Sequence, residues 1–148
     1  MIYGIGIDLI QVKRIDQAWK SWGDRFLKRV FTEEEISYCL RKRDPSPSLA
    51  ARFSAKEACS KALGTGIRRG VHWKDIAVQR GPLGRPGLKL SGLALEICRR
   101  ESIEGLFLSL THDQEYGSAM VVLEKENTEF GSQNPEEEMK KRERQTGQ

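Results

Sequence analysis

The most constraining feature of the sequence is an apolar segment at its start in which two glycines and an aspartate occupy alternate positions. Residues 2–10 are otherwise largely apolar, which predicts a buried strand. Because side chains alternate between the two faces of a strand, Gly4, Gly6 and Asp8 share one face. That face lacks side chains at two successive positions. Another backbone, a helix or a ligand can therefore approach closely and meet a carboxylate at the end of the track.

Asp8 has two interpretations that this spacing leaves open. The two glycines are not a dinucleotide-binding fingerprint, because the third glycine is missing and Asp8 would repel a pyrophosphate unless a cation lay between them. Asp8 is then either a ligand of such a cation or a cap of the helix that follows.

The clearest predicted helix spans residues 49–63, after the breaker segment 44–48, and Gly64-Thr65-Gly66 ends it. One narrow stripe of this helix is made of small residues and suits close packing against a sheet. Its members are Ala51, Ala55, Ala58, Cys59 and Ala62. The larger residues that fill most of the other side are Arg52, Phe53, Lys56, Glu57, Ser60 and Lys61.

The charged side of this helix also has two interpretations. In one, it is a solvated surface on which Glu57 and Lys61 form a pair worth roughly 0.2–0.5 kcal/mol. In the other, Arg52 and Lys56 join Lys61 to make three cations around one carboxylate. Mg²⁺ is typically held by one or two carboxylates and completes its shell with water and substrate phosphates. Asp8 and Glu57 could supply the carboxylates, and the cations could contact the phosphates.

The remaining patterns predict an α+β domain. We expect a helix over residues 12–31 interrupted at Gly23, followed by a capping box at Thr32–Glu35 that opens a helix to about residue 42. Strands are expected at 76–78 and 88–90, and a helix from the N-cap Ser91 to about residue 101. The last expected element is a hairpin of strands 106–110 and 119–123, with residues 111–116 at its turn.

His112 lies at that predicted turn and has two interpretations. It is either a solvated or capping residue, or a functional one that donates to a phosphate or acts as a general base. Its position in the sequence does not choose between them.

The composition predicts one domain and a polar tail. A chain of 148 residues with 38% hydrophobic residues can bury one core but not two. We expect residues 1–124 to form the domain. Residues 125–148 are expected to be disordered or loosely helical, because Phe130 and Met139 are their only large apolar residues.

The net charge limits the kinds of binding partner, and the cysteines indicate the redox state of the cellular compartment. The formal net charge of +4 favours anionic partners without identifying them. No apolar run approaches the ~20 residues of a membrane span, so we expect no membrane contact and a cytoplasmic location. The three cysteines are widely spaced, which favours reduced thiols.

Several motifs, in order and at the expected spacing, together resemble the holo-acyl-carrier-protein synthases, the small members of the phosphopantetheinyl transferase superfamily. The resemblance covers residue 1 to about residue 123, and each motif alone would be a weak signal. The motifs are Gly4-Ile5-Gly6-Ile7-Asp8, Arg14-Ile15, Phe31-Thr32-Glu33-Glu34-Glu35, Ala51-Arg52-Phe53-Ser54-Ala55-Lys56-Glu57-Ala58, Lys61-Ala62-Leu63-Gly64-Thr65-Gly66 and Ser109-Leu110-Thr111-His112.

The resemblance implies a reaction and roles for these residues. A serine hydroxyl of apo acyl carrier protein would attack the β-phosphate of coenzyme A, with adenosine bisphosphate as the leaving group. Asp8 and Glu57 would bind Mg²⁺ on the diphosphate, and Lys61 would stabilise charge on the transferring phosphoryl group. The implied contacts to coenzyme A are Arg52, Lys56, Ser60, Gly64, Thr65, Gly66, Pro86, Thr111 and His112. Of these, Arg52 and His112 are expected nearest the adenosine phosphates, and the loop with Pro86 beside the adenine.

The resemblance also implies a fold and partners. The fold is an antiparallel sheet packed with a long central helix, in a homotrimer with active sites between protomers. The first helical region would dock the acidic carrier protein through Arg14, Arg25, Phe26, Lys28 and Arg29.

Two other functions fit parts of the sequence. A nucleic-acid-binding module would explain the basic run at residues 140–142, but the chain has no recognisable recognition motif and its acidic blocks argue against a polybasic arm. A coenzyme A or nucleotide-binding subunit without turnover would keep the pocket. We expect no nucleic-acid partner.

Overall fold

The structure, a computed structural model, describes residues 1–127. Two short 3₁₀ turns, Trp73–Asp75 and Pro82–Gly84, lie beside the second and third strands. The helices and strands are β1 (Ile2–Gln11), α1 (Val12–Trp22), α2 (Asp24–Val30), α3 (Glu33–Leu40), α4 (Ser46–Leu63), β2 (Ile76–Arg80), β3 (Pro86–Leu90), α5 (Gly92–Arg100), β4 (Ile103–His112) and β5 (Tyr116–Lys125).

The strands form two antiparallel sheets. The larger has the order β1-β5-β4, and the smaller is the hairpin of β2 and β3. The long helix α4 packs against β1, β5 and β4 on one face of the larger sheet, and α1, α3 and β2 contact α4 from other directions. The expected α+β fold, an antiparallel sheet packed with a long central helix, is confirmed.

The contact between β1 and α4 depends on the two glycines. A Cβ atom added at Gly6 would lie 1.7 Å from the carbonyl oxygen of Ala58, and one added at Gly4 would lie 2.1 Å from that of Ala62. The small-residue stripe of α4 therefore lies directly on the backbone of β1. Because Asp8 shares this face of the strand, its carboxylate lies beside the helix.

Most of the predicted elements are confirmed, with changes at their ends. The first helical region breaks at Gly23, whose φ of 61° ends α1. The capping box is present, with Thr32 N–H donating to Glu35 Oε1 at 2.8 Å and Glu35 N–H donating to Thr32 Oγ1 at 3.3 Å. Ser91 precedes α5 as predicted, but its side chain makes no capping hydrogen bond.

Two predicted boundaries are wrong. Helix α4 begins at Ser46 and not at residue 49, because Pro47 lies in its first turn, where the missing N–H of proline has no intrahelical partner to lose. The final hairpin has longer strands than predicted, so Thr111 and His112 belong to β4 and the turn is shorter.

A buried ion pair joins α3, α4 and β2. Lys56 Nζ donates to Glu35 Oε1 at 2.7 Å and to the carbonyl oxygen of Ile76 at 2.6 Å, and both charged side chains are fully buried. Glu35 Oε2 also accepts a hydrogen bond from the backbone N–H of Val78 at 3.1 Å. Burial lowers the pKa of Lys56, and the Glu35 carboxylate opposes that shift.

The face of the larger sheet that points away from α4 carries exposed apolar side chains. They lie on all three strands, and their exposed fractions range from 46% to 64%. Its large members are Ile5, Ile7, Leu9, Phe107 and Met120.

The expected disordered tail lies outside the described residues apart from its first three positions. Lys125 ends β5, and its backbone N–H donates to the carbonyl oxygen of Met1 at 2.8 Å. All three cysteines are buried and unpaired. Within residues 1–127, no helix has both the length and the hydropathy that a bilayer crossing requires.

The glycine contact predicts the effect of a single added methyl group. Overpacking typically costs about 1–3 kcal/mol. We expect Gly6→Ala to lower the free energy of unfolding by at least this much, because the added methyl group clashes with the backbone of α4. Urea unfolding followed by circular dichroism measures the change. Gly87→Ala is the matched control, since a Cβ there meets nothing within 4 Å. A Gly6→Ala value within about 0.5 kcal/mol of the parent would contradict the packing argument.

Candidate active site

Asp8 and Glu57 come from two elements that the glycine contact holds together. Asp8 lies within β1, in register with Ala119 of β5, and its carbonyl oxygen accepts a hydrogen bond from Ser118 Oγ at 2.9 Å. The N-cap position of α1 belongs to Gln11. The interpretation of Asp8 as a helix cap is therefore excluded.

The two carboxylates influence each other electrostatically. Burial raises the pKa of Glu57, the nearby Asp8 carboxylate raises it further, and the cations of Lys61 and Arg68 lower it. Glu57 is half-buried on α4. Two neighbouring carboxylates, one of them partly desolvated, favour a cation between them.

Lys61 is the cation nearest to Asp8. Its Nζ atom donates to Asp8 Oδ1 and to the carbonyl oxygen of Ile7, each at 3.0 Å. The Lys61 side chain is 51% exposed, whereas that of Asp8 is 17% exposed. The ion pair of Lys61 is thus with Asp8 on the neighbouring strand, and not with Glu57 on its own helix as the surface interpretation expected.

Arg68 is a residue of this site that the sequence analysis missed. It lies just beyond the glycines that end α4 and is close enough to Glu57 to lower the pKa of that carboxyl. The available signal was its place two residues after Gly66.

The predicted group of three cations around Glu57 is wrong. Arg52 and Glu57 are five residues apart, so their side chains project about 140° apart around α4. Lys56 is engaged in the buried pair with Glu35. The buried Ser60 hydroxyl donates to the carbonyl oxygen of Glu57 at 2.7 Å. Lys56 and Ser60, both expected to contact coenzyme A, are therefore not positioned to meet a bound phosphate.

The glycine-bounded end of α4 is open but offers no free amides. Gly64 ends the helix with a φ of 84°, and a Cβ there would meet nothing within 4 Å. The N–H groups of Thr65 and Gly66 both donate to the carbonyl oxygen of Ser60, at 3.2 and 3.1 Å, and that of Gly64 to Lys61. A ligand here would pack against the backbone of this turn without accepting hydrogen bonds from its three N–H groups.

A cationic cavity of about 400 Å³ lies on the other side of α4. Arg52 and His112, expected near the same phosphates, both line it. Arg52 is only 4% exposed, and its Nη1 atom donates to the carbonyl oxygen of Ser48, one helical turn earlier, at 3.4 Å. Among the residues that the structure describes, its Nε atom has no hydrogen-bond partner. Such a buried, underused cation suits an anionic ligand.

Pro86 and Thr111 lie apart from these two clusters. Pro86 begins β3 and lines a cavity of about 320 Å³ at the β2–β3 turn, which shares Arg80 with the Arg52 cavity. Thr111 precedes His112 on β4 and therefore points to the opposite, apolar face of the sheet.

The residues expected to dock the carrier protein are only partly grouped. Arg25, Phe26 and Arg29 line a cavity of about 310 Å³ together with Trp22. Trp22 is 66% exposed. The exposed Arg14 and Lys28 lie outside this cavity.

Comparison with known protein families identifies the superfamily of this chain. A family model described as the 4'-phosphopantetheinyl transferase superfamily matches residues 4–119, a range that contains both carboxylates and His112. The chain belongs to this superfamily.

Relatives and solved structures of this superfamily match most of the transferase. A holo-[acyl-carrier-protein] synthase of Caulobacter vibrioides is 48% identical over 128 residues, which cover 84% of this chain and 96% of the relative. The Neisseria meningitidis synthase has a TM-score of 0.78 at 37% identity, covering 84% of this chain and 100% of that one. The Helicobacter pylori synthase in complex with coenzyme A has a TM-score of 0.72 at 36% identity. The match covers 81% of this chain and 99% of the Helicobacter pylori chain.

The donor set of the transferase fits a magnesium ion. Within the described range, no group of three or more His, Cys, Asp and Glu side chains is placed to enclose a metal. Asp8 and Glu57 together match an ion that takes one or two carboxylates from the protein and its other ligands from water and phosphates.

Glu57 should make the metal-free transferase less stable. We expect Glu57→Gln to raise the melting temperature at neutral pH in EDTA, because it removes a partly desolvated charge beside Asp8. The pKa of Glu57 is raised in the folded state. The charged carboxylate therefore lowers the free energy of unfolding of the parent, relative to Glu57→Gln, at every pH above that folded pKa. This difference disappears as the pH falls below the unfolded pKa.

Thermal unfolding at several pH values checks this expectation. Glu96→Gln, an exposed change on α5, is the control and should leave the melting temperature almost unchanged. A lower melting temperature for Glu57→Gln at neutral pH would show that its charge is well compensated in the fold.

Proposed function

We propose that this protein is a holo-[acyl-carrier-protein] synthase that transfers 4'-phosphopantetheine from coenzyme A to a serine hydroxyl of an apo acyl carrier protein. The observation that carries the proposal is the pair of carboxylates, Asp8 and Glu57, with the half-exposed ammonium of Lys61 beside them. The names of the relatives support the reaction, and the coenzyme A complex of the Helicobacter pylori enzyme supports the donor.

The reaction moves one phosphoryl group. The serine hydroxyl releases its proton to water as its oxygen bonds to the β-phosphorus of coenzyme A, and the bond from that phosphorus to the bridging oxygen breaks. Adenosine 3',5'-bisphosphate leaves with that oxygen, and the carrier keeps the phosphopantetheine.

At the diphosphate, the two carboxylates and Lys61 have different roles. Asp8 and Glu57 would hold Mg²⁺, which when bound neutralises charge on the diphosphate. Lys61 has three N–H donors, and Asp8 and Ile7 accept two of its hydrogen bonds. Its exposed side can therefore donate to an oxygen of the transferring phosphoryl group. Arg68 adds positive charge on the same side.

The second cluster fits the other phosphate of coenzyme A. Once the diphosphate lies at the carboxylates, the 3'-phosphate is the remaining anion, and the cavity with Arg52 and His112 provides cationic donors for it. The turn with Pro86 would border the adenine next to this cavity. Gly64, Thr65 and Gly66 would border the diphosphate end without donating amides.

We propose that the protein assembles as a homotrimer through the exposed apolar face of its larger sheet. Full burial of a large apolar side chain is worth about 1.5–3 kcal/mol, and this face carries five of them, each at least 46% exposed. Arg52 and Glu57 project to different sides of α4. One coenzyme A molecule would therefore use the carboxylates of one protomer and the Arg52 cavity of the next.

The surface of Trp22, Arg25, Phe26 and Arg29 suits an acidic carrier protein, because two cations flank two aromatic side chains. Arg14 and Lys28 extend the positive charge around it. Three buried, unpaired cysteines support a location in the reducing cytoplasm.

The transfer itself tests the function. Incubation with coenzyme A, Mg²⁺ and an apo carrier should add the phosphopantetheine mass to the carrier, at a serine. Lys61→Met should lower kcat by roughly 10²–10³-fold with little change in KM, because its charge acts on the transferring group. Lys89→Met, at an exposed position of β3, is the control.

Two results would overturn this proposal. One is the absence of the mass increment on several apo carriers despite tight coenzyme A binding, which would favour the subunit without turnover. Strong, salt-dependent nucleic-acid binding without coenzyme A binding would favour the nucleic-acid module.

Mixing of two inactive variants tests the shared site. Arg52→Met keeps the length of the buried side chain. At a coenzyme A concentration far below the raised KM that we expect for Arg52→Met, this variant and Glu57→Gln should each be nearly inactive alone. After subunit exchange, an equal mixture should recover about one quarter of the parent activity, because that share of interfaces pairs an intact Glu57 with an intact Arg52. Activity that stays at the average of the two variants, in a protein shown by light scattering to be trimeric, would place the whole site in one protomer.

A further inference from the structure

Three cations converge on one aromatic ring beside the Arg52 cavity. The guanidinium carbon of Arg52 lies 4.2 Å from the ring centroid of Tyr38, that of Arg80 lies 4.8 Å away, and Lys42 Nζ lies 5.0 Å away. All four side chains line the cavity. These distances are within the range in which the electron-rich face of an aromatic ring attracts a cation.

Within the part of the chain that the structure describes, no carboxylate pairs with these three cations. Among the ion pairs within residues 1–127, none includes Lys42, Arg52 or Arg80. The two aspartates that line the cavity are engaged with their own turns. Asp44 Oδ1 accepts from the N–H of Ser46 at 3.2 Å, and Asp113 Oδ1 accepts from two backbone N–H groups at 2.7 Å each.

This arrangement leaves hydrogen-bond donors of the arginines unused. A carboxylate would hold a guanidinium by accepting its N–H groups, whereas a ring face attracts the cation without occupying them. Arg52 accordingly keeps a buried Nε donor without a partner in the described part of the chain. A phosphate that enters the cavity would find a cation already in place with a free donor.

The ring also links two parts of the proposed coenzyme A site. Tyr38 belongs to α3, Arg52 to α4 and Arg80 to the end of β2. Arg80 Nη1 donates to the carbonyl oxygen of Gly84 at 3.1 Å, which connects the cation group to the turn that leads to Pro86.

We propose that Tyr38 is a positioning residue for the 3'-phosphate of coenzyme A. Its ring holds the guanidinium groups of Arg52 and Arg80 together at one cavity against their mutual repulsion, with donors left for the phosphate. The inference rests on the proposed function and concerns the aromatic ring, not the hydroxyl group of Tyr38.

A comparison of coenzyme A with dephospho-coenzyme A, which lacks only the 3'-phosphate, tests this role. Tyr38→Leu should raise the KM for coenzyme A roughly tenfold, because the arginines lose their fixed position. Its kcat and its KM for dephospho-coenzyme A should stay near those of the parent. Tyr38→Phe keeps the ring and should behave as the parent does with both donors.

Several outcomes would overturn the role. They are an equal rise in both KM values for Tyr38→Leu, an unchanged KM for coenzyme A, or a Tyr38→Phe variant that is as impaired as Tyr38→Leu. If Tyr38→Leu does not fold, Arg80→Gln at an exposed position replaces it, and it should weaken coenzyme A selectively. Equal weakening of both donors by Arg80→Gln would contradict the proposal.

Calorimetric binding of the two donors separates this inference from the proposed function. If no carrier is modified, the proposed function fails, but the selective loss of coenzyme A affinity still reports on Tyr38. If transfer occurs and the variants do not discriminate between the donors, only the role of Tyr38 fails.

Discussion

The contact of β1 with α4 through Gly4 and Gly6 is the constraint on which the rest of the site depends. With no side chains between them, the strand backbone and the carbonyl oxygens of the helix come closer than any Cβ atom would allow. This closeness brings Asp8 on the strand to Glu57 on the helix, and it lets Lys61 reach back to Asp8. The Asp8 carboxylate raises the pKa of Glu57, and the cations of Lys61 and Arg68 offset only part of that repulsion. This is the carboxylate pair that we propose to hold Mg²⁺ on the diphosphate.

The opposite side of α4 carries a buried ion pair and a cluster of cations. There the helix is covered by α3 and β2, and the buried Lys56–Glu35 pair fixes the three elements relative to one another. Removing one member of such a pair is typically far more damaging than removing both, which makes Lys56 a structural residue despite its charge. Next to this pair, Tyr38 gathers cations without neutralising them. One helix therefore carries a carboxylate site and a cation site on different sides, and each suits one end of a ligand with two separated anionic groups.

Strand parity and helix periodicity were enough to predict the fold class, the small-residue stripe of α4 and the shared face of Gly4, Gly6 and Asp8. They could not show which large residues of α4 would be covered. The cationic side of α4 and the family resemblance both place Lys56 with the ligand, and the position of Glu35 on another helix overturns that prediction. Tyr38, Arg68 and Trp22 were missed for a related reason. Their importance comes from residues distant in the sequence or from exposure, and neither leaves a periodic signal.

We propose above all that carboxylates from two elements, Asp8 on β1 and Glu57 on α4, jointly hold one cation on the diphosphate of coenzyme A. Electron paramagnetic resonance of Mn²⁺, used in place of Mg²⁺, tests it most directly in the presence of coenzyme A. The parent protein should bind Mn²⁺, and Asp8→Asn and Glu57→Gln should each lose the bound ion while remaining folded. Unchanged Mn²⁺ affinity in either variant would contradict the account.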